Sequence, residues 1–264
     1  MSRPRVYRTE AIVLHRSDLG EADRLLTLYT PDQGKLRAVA KGIRKPTSRK
    51  GGHLELFAHS RLLIAKGRNL DIVTQAELIE PFDSLREDLS RIGYAFHVAE
   101  LVSRFTDEGI ENRALFDLLR DALGWIARSE NLAVTSRYIE LHLLSYLGFR
   151  PQLFRCVQCN EEIQPVTNYL SNDEGGILCP RCGEYRPRTR AISMPALKVL
   201  RFVQTHDYAT CRRLQLRPAV TTELEAVLDQ LLTHHLEAKL RSLAFVRQLR
   251  RETSAPASPP EDGE

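Results

Sequence analysis

The sequence predicts an α+β chain: a small all-β barrel at the N-terminus, then an all-helical body carrying an inserted four-cysteine unit. Three observations lead there. Residues 1–80 hold β-rich runs broken by short turns, with no helical spacing among their apolar residues. From residue 83 onward, apolar residues recur every three or four positions. Four of the five cysteines form two C-x2-C pairs inside residues 152–190. The boundaries read from these patterns are 1–80 for the head, 81–250 for the helical body, 152–190 for the insertion and 252–264 for a disordered tail.

In the head, "TEAIVLHRS" and "EADRLLTLYT" read as strands around the turn "DLG", and "PDQG" is a strong turn signal. "KLRAVAKG" alternates Leu36, Ala38 and Ala40 with Lys35, Arg37 and Lys41, so one face is apolar and the other basic. "HLELFAHSRLLIAKG" and "NLDIVTQAELIE" complete five strands, and a helix-free run of this kind suggests a small closed sheet. Between the third and fourth strands lies "VAKGIRKPTSRKGG", with Lys41, Arg44, Lys45, Arg49 and Lys50 and no acidic residue. Residues 1–80 carry 15 Lys and Arg against 9 Asp and Glu, an excess of six in a chain whose net charge is +4. A basic module on a nearly neutral body is the footprint of nucleic-acid binding, although basic surfaces are also commonly just solvated.

In the body, Asp83 or Ser84 is placed to cap a first helix with Leu85, Leu89, Ile92, Phe96, Ala99 and Val102 on one face. Helices follow over about 112–128 and 132–147. The second of these ends in "LGFRP", with Gly148 at the left-handed position after the helix and Pro151 preventing its continuation. Helices resume over about 194–206 and 220–240. The tail "ETSAPASPPEDGE" is Pro- and Ser-rich and polar.

Cys156, Cys159, Cys179 and Cys182 have the spacing of a four-thiolate zinc site. Two residues between cysteines form a tight turn that aims both sulfurs at one ion, and backbone N–H groups of the turn offset the thiolate charge. Gly183 is expected in a left-handed conformation after the second pair, with Asn160 in the matching place after the first. Residues "TNYL" and "GGILC" around "SNDEG" suggest a hairpin between the pairs. Four thiolates close the shell, so a single Zn2+ here is structural. Its expected task is to fold a segment with almost no apolar core, where zinc supplies about 10–16 kcal/mol. Cys211 stands alone and reads as a buried small hydrophobe.

No P-loop, GxGxxG, HExxH or GxSxG motif occurs, and no acidic cluster suggests a two-metal nuclease, so the chain reads as a non-enzyme. It has no run of about 18 apolar residues and no apolar segment behind the basic N-terminus, so the expected location is cytoplasmic, without membrane contact.

Taken together, "GEADRLLTLYT", "AKGIRK", the following glycine pair, "ELIEPF", "LGFRP", "C-x2-C" and "CPRCG" resemble the RecO family of recombination and DNA-repair mediators, over about residues 5–245. The resemblance implies an N-terminal OB-fold, a helical domain and a zinc-finger insertion. It also implies binding of single- and double-stranded DNA, annealing of complementary strands, nucleoid association and, with RecR, loading of RecA onto strands coated by single-strand binding protein. On an OB-fold the candidate DNA contacts are Lys35, Arg37, Lys41, Arg44, Lys45, Arg49 and Lys50, as a clamp whose glycines let it adapt to one strand or two. Tyr29 is a candidate for base stacking or for the core. The acidic, apolar-ended C-terminal tail of single-strand binding protein calls for Arg or Lys beside an apolar cleft in the body, where Arg120, Arg128 and Arg137 adjoin apolar helix faces. The alternative reading is a zinc-containing OB-fold protein that binds RNA or scaffolds an assembly.

Overall fold

The computed structural model describes residues 6–48 and 50–236, with Leu240, Ser242, Phe245, Val246, Gln248 and Leu249. Arg49 and the expected disordered tail lie outside the described residues. The head is formed by strands β1 (Val6–Leu19), β2 (Asp23–Thr30), β3 (Gly34–Ala40), β4 (His59–Ala65) and β5 (Asp71–Glu80). Four antiparallel pairings and one parallel one join them in the closed order β1-β2-β3-β5-β4, the OB arrangement. The parallel β3–β5 seam is short, pairing Ala38 with Asp71 and Val39 with Ile72. Alternation along the strands sends Ala11, Val13, Leu26, Leu28, Leu36, Ala38, Leu62, Ile64 and Val73 inward as one small core.

The fourth strand starts later than its apolar run suggests. Residues Gly51–Leu54 form a 3-10 turn that drops Leu54 into the barrel core. Phe57 adopts φ 67°, donates its N–H to Val13 O at 2.9 Å, and turns its ring outward against Phe96 at 5.2 Å. The run plugs the barrel before becoming a strand.

The body contains α1 (Ser84–Glu87), α2 (Leu89–Phe105), α3 (Arg113–Arg128) and α4 (Leu132–Tyr146), then the insertion, then α6 (Met194–Thr205), α7 (Tyr208–Cys211) and α8 (Pro218–Leu236). The insertion holds β6 (Asn168–Ser171), β7 (Gly176–Leu178), α5 (Pro180–Gly183) and β8 (Thr189–Ile192). Asn112, Asn131 and Ser193 cap α3, α4 and α6 by accepting the N–H three residues on. The helix expected from residue 84 is broken at Asp88, whose extended backbone and carboxylate cap a fresh start at Leu89. Of the expected face Leu85, Ala99 and Val102 are buried and Ile92 packs on the core, but Leu89 is 62 % exposed and Phe96 is partly exposed, while Tyr94, Ala95, Val98 and Leu101 add to the core. The end of α4 follows its sequence: Gly148 has φ 86° and Phe149 N–H donates to Leu144 O at 2.8 Å.

Barrel and body share one seam. Ile12, Leu14 and Tyr29 on the outer face of β1 and β2 join the helical core rather than the barrel core. Gly34 permits the close approach, since a Cβ there would lie 1.8 Å from Ile110 O. Within the body, the buried Glu140 carboxylate accepts from Arg137 Nη2 at 2.7 Å and Ser136 Oγ at 2.8 Å, with His97 Nε2 at 3.0 Å. Burial alone would raise this carboxyl, but the Arg137 charge and the His97 bond outweigh it and hold it below the usual range.

The insertion is not the coreless segment its sequence suggests. Leu153, Ile163, Leu170, Ile177, Leu178 and Ile192 are buried in the same core as the helices. Its low periodicity reflects short strands that borrow a neighbour's apolar face instead of building their own.

Candidate nucleic-acid interface and metal centre

On β3 the alternation leaves Lys35, Arg37, Val39 and Lys41 on the outer face, but that face is divided. Lys35 pairs with Tyr29 across the sheet, beneath the helices. Its ammonium donates to Ser103 O at 2.6 Å and to Thr106 O, the last carbonyls of α2, where the helix dipole favours a cation. Tyr29 is 0 % exposed, and burial pushes its phenol up to about 12. Neither residue is free for a phosphate or a base, so both leave the candidate set. Arg37 lies farther along, paired with Thr27, which in turn pairs with His15. Arg37 and His15 are exposed, on an open strip across three strands.

The basic loop after β3 is anchored rather than loose. Ile43 is buried in the barrel core. Gly42 N–H donates to Asp23 Oδ1 at 2.7 Å, and Arg44 N–H to Ala22 O at 3.0 Å. Lys50 reaches back under the loop, donating to Lys41 O at 3.0 Å and Val73 O at 3.2 Å, and burial lowers its pKa. Lys50 is therefore a fastening of the loop rather than one of its exposed charges. Arg44 is exposed but lies 3.3 Å from Asp18 and donates to Gly20 O at 3.2 Å. Lys41 and Lys45 are exposed, with no ion pair among the described residues.

The four paired cysteines come together. Their Sγ atoms lie within 4.8 Å of one another, with Cys159 and Cys179 at 3.9 Å. A tetrahedral thiolate cage around a zinc-sized ion has edges of about 3.8 Å. Asn160 at φ 59° closes the first knuckle, its N–H donating to Cys156 O at 2.8 Å. Gly183, by contrast, is not left-handed. It closes the second knuckle because a Cβ there would meet Tyr169 Cβ at 2.6 Å. Burial would raise the Cys156 thiol, but the N–H groups of Cys159, Cys179 and Gln158 outweigh it and bring it down to about 6. Cys182 is pushed up to about 12 by burial and by the neighbouring thiols. Four thiols this close can all ionise only around a cation, so the donor set fits a metal ion and is closed to substrate. The hairpin between the pairs is present as β6 and β7, with β8 added on the other side of β6. Cys211 is buried, away from this cluster.

Of the three arginines considered in the body, Arg120 is bonded to Asp117 and Asp121 and Arg137 to Glu140. Only Arg128 opens to solvent without an ion pair among the described residues. It lines a cleft of about 710 Å3 with Arg212 and Arg213, over a floor in which Trp125 stacks on Tyr208 at 4.1 Å. Sequence reading missed this cleft because Tyr208, Arg212 and Arg213 lie on α7 and its exit turn, some 80 residues from Trp125 in the chain.

The family comparisons divide the chain as the elements do. The family described as Recombination protein O N terminal matches residues 1–82, and Recombination protein O C terminal matches residues 86–244. The chain belongs to the RecO family. It is 46 % identical over 259 residues to the DNA repair protein RecO of Roseiflexus sp. strain RS-1, covering 97 % of this chain and 91 % of that protein. It is 38 % identical over 242 residues to the DNA repair protein RecO of Pelotomaculum thermopropionicum, covering 92 % and 94 %. With RecO of Dehalococcoides mccartyi strain 195 it shares 36 % over 251 residues, covering 95 % and 99 %. The OB barrel, helical body and cysteine cage are thus the parts of a RecO-family protein. No helix among its described residues is long and apolar enough to cross a membrane.

Proposed function

We propose that this chain is a DNA repair and recombination mediator rather than a catalyst. It binds single- and double-stranded DNA without sequence preference, anneals complementary strands and, with RecR, helps load RecA onto strands coated by single-strand binding protein. In this reading residues 1–80 are the DNA-binding domain and 81–250 the helical domain. The insertion at 152–190 holds one structural Zn2+ through Cys156, Cys159, Cys179 and Cys182, and the protein acts in the cytoplasm at the nucleoid. The observation that carries it is the set of exposed cations without an ion-pair partner among the described residues, Arg37, Lys41 and Lys45, on the OB barrel of a RecO-family chain. Arg44 joins them as a cation shared with Asp18, and Arg49, outside the described residues, by its position in the sequence alone. Such cations neutralise phosphates without reading bases, which suits annealing because two neutralised backbones approach each other.

The triple variant Arg37→Gln/Lys41→Gln/Lys45→Gln tests this. Its affinity should fall equally for unrelated sequences, and the log–log salt slope should flatten by about 0.7 per contact on single strands and about 0.9 on duplex. An unchanged slope would overturn the reading. The acidic tail of single-strand binding protein is assigned to the Arg128, Arg212 and Arg213 cleft, whose stacked Trp125 and Tyr208 receive the apolar end. Changing those three arginines to Gln should weaken binding of an acidic, aromatic-ended peptide and leave DNA affinity intact.

A further inference from the structure

We propose that the turn after the second cysteine pair, residues 184–190, is a second contact for single-stranded nucleic acid. In it the Tyr185 ring stacks on an unpaired base and Arg188 meets the adjacent phosphate. The proposal rests on the nucleic-acid reading above and extends it from the barrel to the cysteine-bearing insertion.

Tyr185 is 92 % exposed, where the other exposed large apolar side chains lie between 40 % and 62 %. Among the described residues its hydroxyl has no hydrogen-bond partner and its ring no aromatic neighbour. Among the described residues nothing in the fold uses the side chain.

The turn that presents it is built with care. Glu184 N–H donates to Pro180 O at 3.1 Å and Arg186 N–H to Gly183 O at 3.2 Å. Thr189 Oγ1 donates to Gly183 O at 3.1 Å and Arg186 O at 2.9 Å, tying both ends of the turn together. Cys182 fixes one end in the cysteine cage, and pairing of β8 with β6 fixes the other. An aromatic ring on a prebuilt turn loses little freedom when it binds.

The charges around the ring are unequal. Arg181 lies 3.3 Å from Glu161, and Arg186 lies 2.6 Å from Glu174 and donates to Gln158 at 3.1 Å. Arg190 is half-buried and lines, together with Arg188, a hollow with Asn172, Asp173 and His234. Arg188 is exposed, has no ion pair among the described residues, and sits at φ 60°, a left-handed conformation that non-glycine residues adopt at a cost.

An exposed ring in a turn of charged and polar residues, three positions from an exposed cation, suits stacking on a base better than a peptide side chain, which would need apolar neighbours. Every base has a face to stack, so the contact would be tolerant of sequence but closed to paired bases.

The test uses the full-length, zinc-loaded protein with the variants Tyr185→Ala, Tyr185→Phe and Arg188→Gln. Each is titrated against an oligo-dT, a mixed-sequence single strand and a duplex. Tyr185→Ala should weaken single-strand binding about 5- to 30-fold and leave duplex binding unchanged, while Tyr185→Phe keeps the parent affinity. Arg188→Gln should flatten the single-strand salt slope by about 0.7. Zinc content and melting temperature stay at the parent values, because both side chains are exposed. Parent-like single-strand binding by Tyr185→Ala would overturn the proposal. So would equal losses on single strand and duplex, or a loss confined to an acidic peptide. If the barrel triple variant loses binding and Tyr185→Ala does not, this inference alone falls. If neither loses binding, the nucleic-acid reading falls with it.

Discussion

The loop after β3 and the turn after the second cysteine pair both raise cations above the end of a small sheet, yet they are held by different means. Loop 41–50 is fastened by the chain itself: Ile43 inserted in the barrel, hydrogen bonds to Gly20, Ala22 and Asp23, and a half-buried lysine donating to two carbonyls. Turn 184–190 is fastened by the cysteine cage and by strand pairing to β6. The lesson is that basic residues on one surface divide into those that build the fold and those left open to solvent. Lys35 and Lys50 build, while Arg37, Lys41, Lys45 and Arg188 remain outward.

Removing the metal should have the largest effect and should break the comparison on one side only. In Cys156→Ser/Cys179→Ser, bound zinc should fall from about one per chain to none, and hydrogen exchange over 152–192 should rise. The loss of stability should be several kcal/mol, below the ~10–16 kcal/mol of a unit that relies on metal alone, because Leu170, Ile177, Leu178 and Ile192 stay in the shared core. Faster exchange in loop 41–50 would show that the two supports are not independent.

Truncating the shared core is the next step down. Leu170→Ala should cost about 2–5 kcal/mol in urea unfolding while zinc stays bound. Lys35→Ala should then cost about 1.5–3 kcal/mol through the lost bonds to Ser103 O and Thr106 O, with no change in the salt slope of DNA binding. A flatter slope would return Lys35 to the phosphate contacts.

The smallest effect is in pH. Burial lowers the pKa of His59, His142 and His235 in the folded chain. The unfolded chain, with histidines near 6.5, therefore binds protons first. Stability is full above about pH 6.5, falls as pH drops below it, and levels off once the folded histidines also titrate. Thermal melts from pH 7.5 to 5 should show a falling midpoint, and a flat or rising midpoint would contradict the burial of these rings.

Much of the fold is legible residue by residue. The "LGFRP" stop acts within a turn, so local sequence suffices to place it, whereas the cap expected at Asp83 or Ser84 makes no side-chain bond to its helix and Asp88 caps the next one instead. The cysteine pairs are equally local, each confined to one knuckle. The break at Asp88 was not legible, because a single cap interrupts a run of well-spaced apolar residues, although Leu85, Ala99 and Val102 of that run are buried as expected. The roles of Tyr29 and Lys35 were illegible for another reason. Alternation tells the inside of a barrel from its outside, but not which part of the outside a helix will cover.

By itself, the sequence determined most of the strands and helices, the paired spacing of four cysteines and the concentration of positive charge in the head, because these depend on periodicity, turns and spacing. Only the tertiary structure decided which of those charges stay free. It laid α2 across Tyr29 and Lys35, turned Lys50 under its own loop, joined the insertion to the helical core and left Tyr185 in water. Those outcomes depend on packing between segments far apart in the chain, where burial and carbonyl partners outweigh the pattern along any one strand.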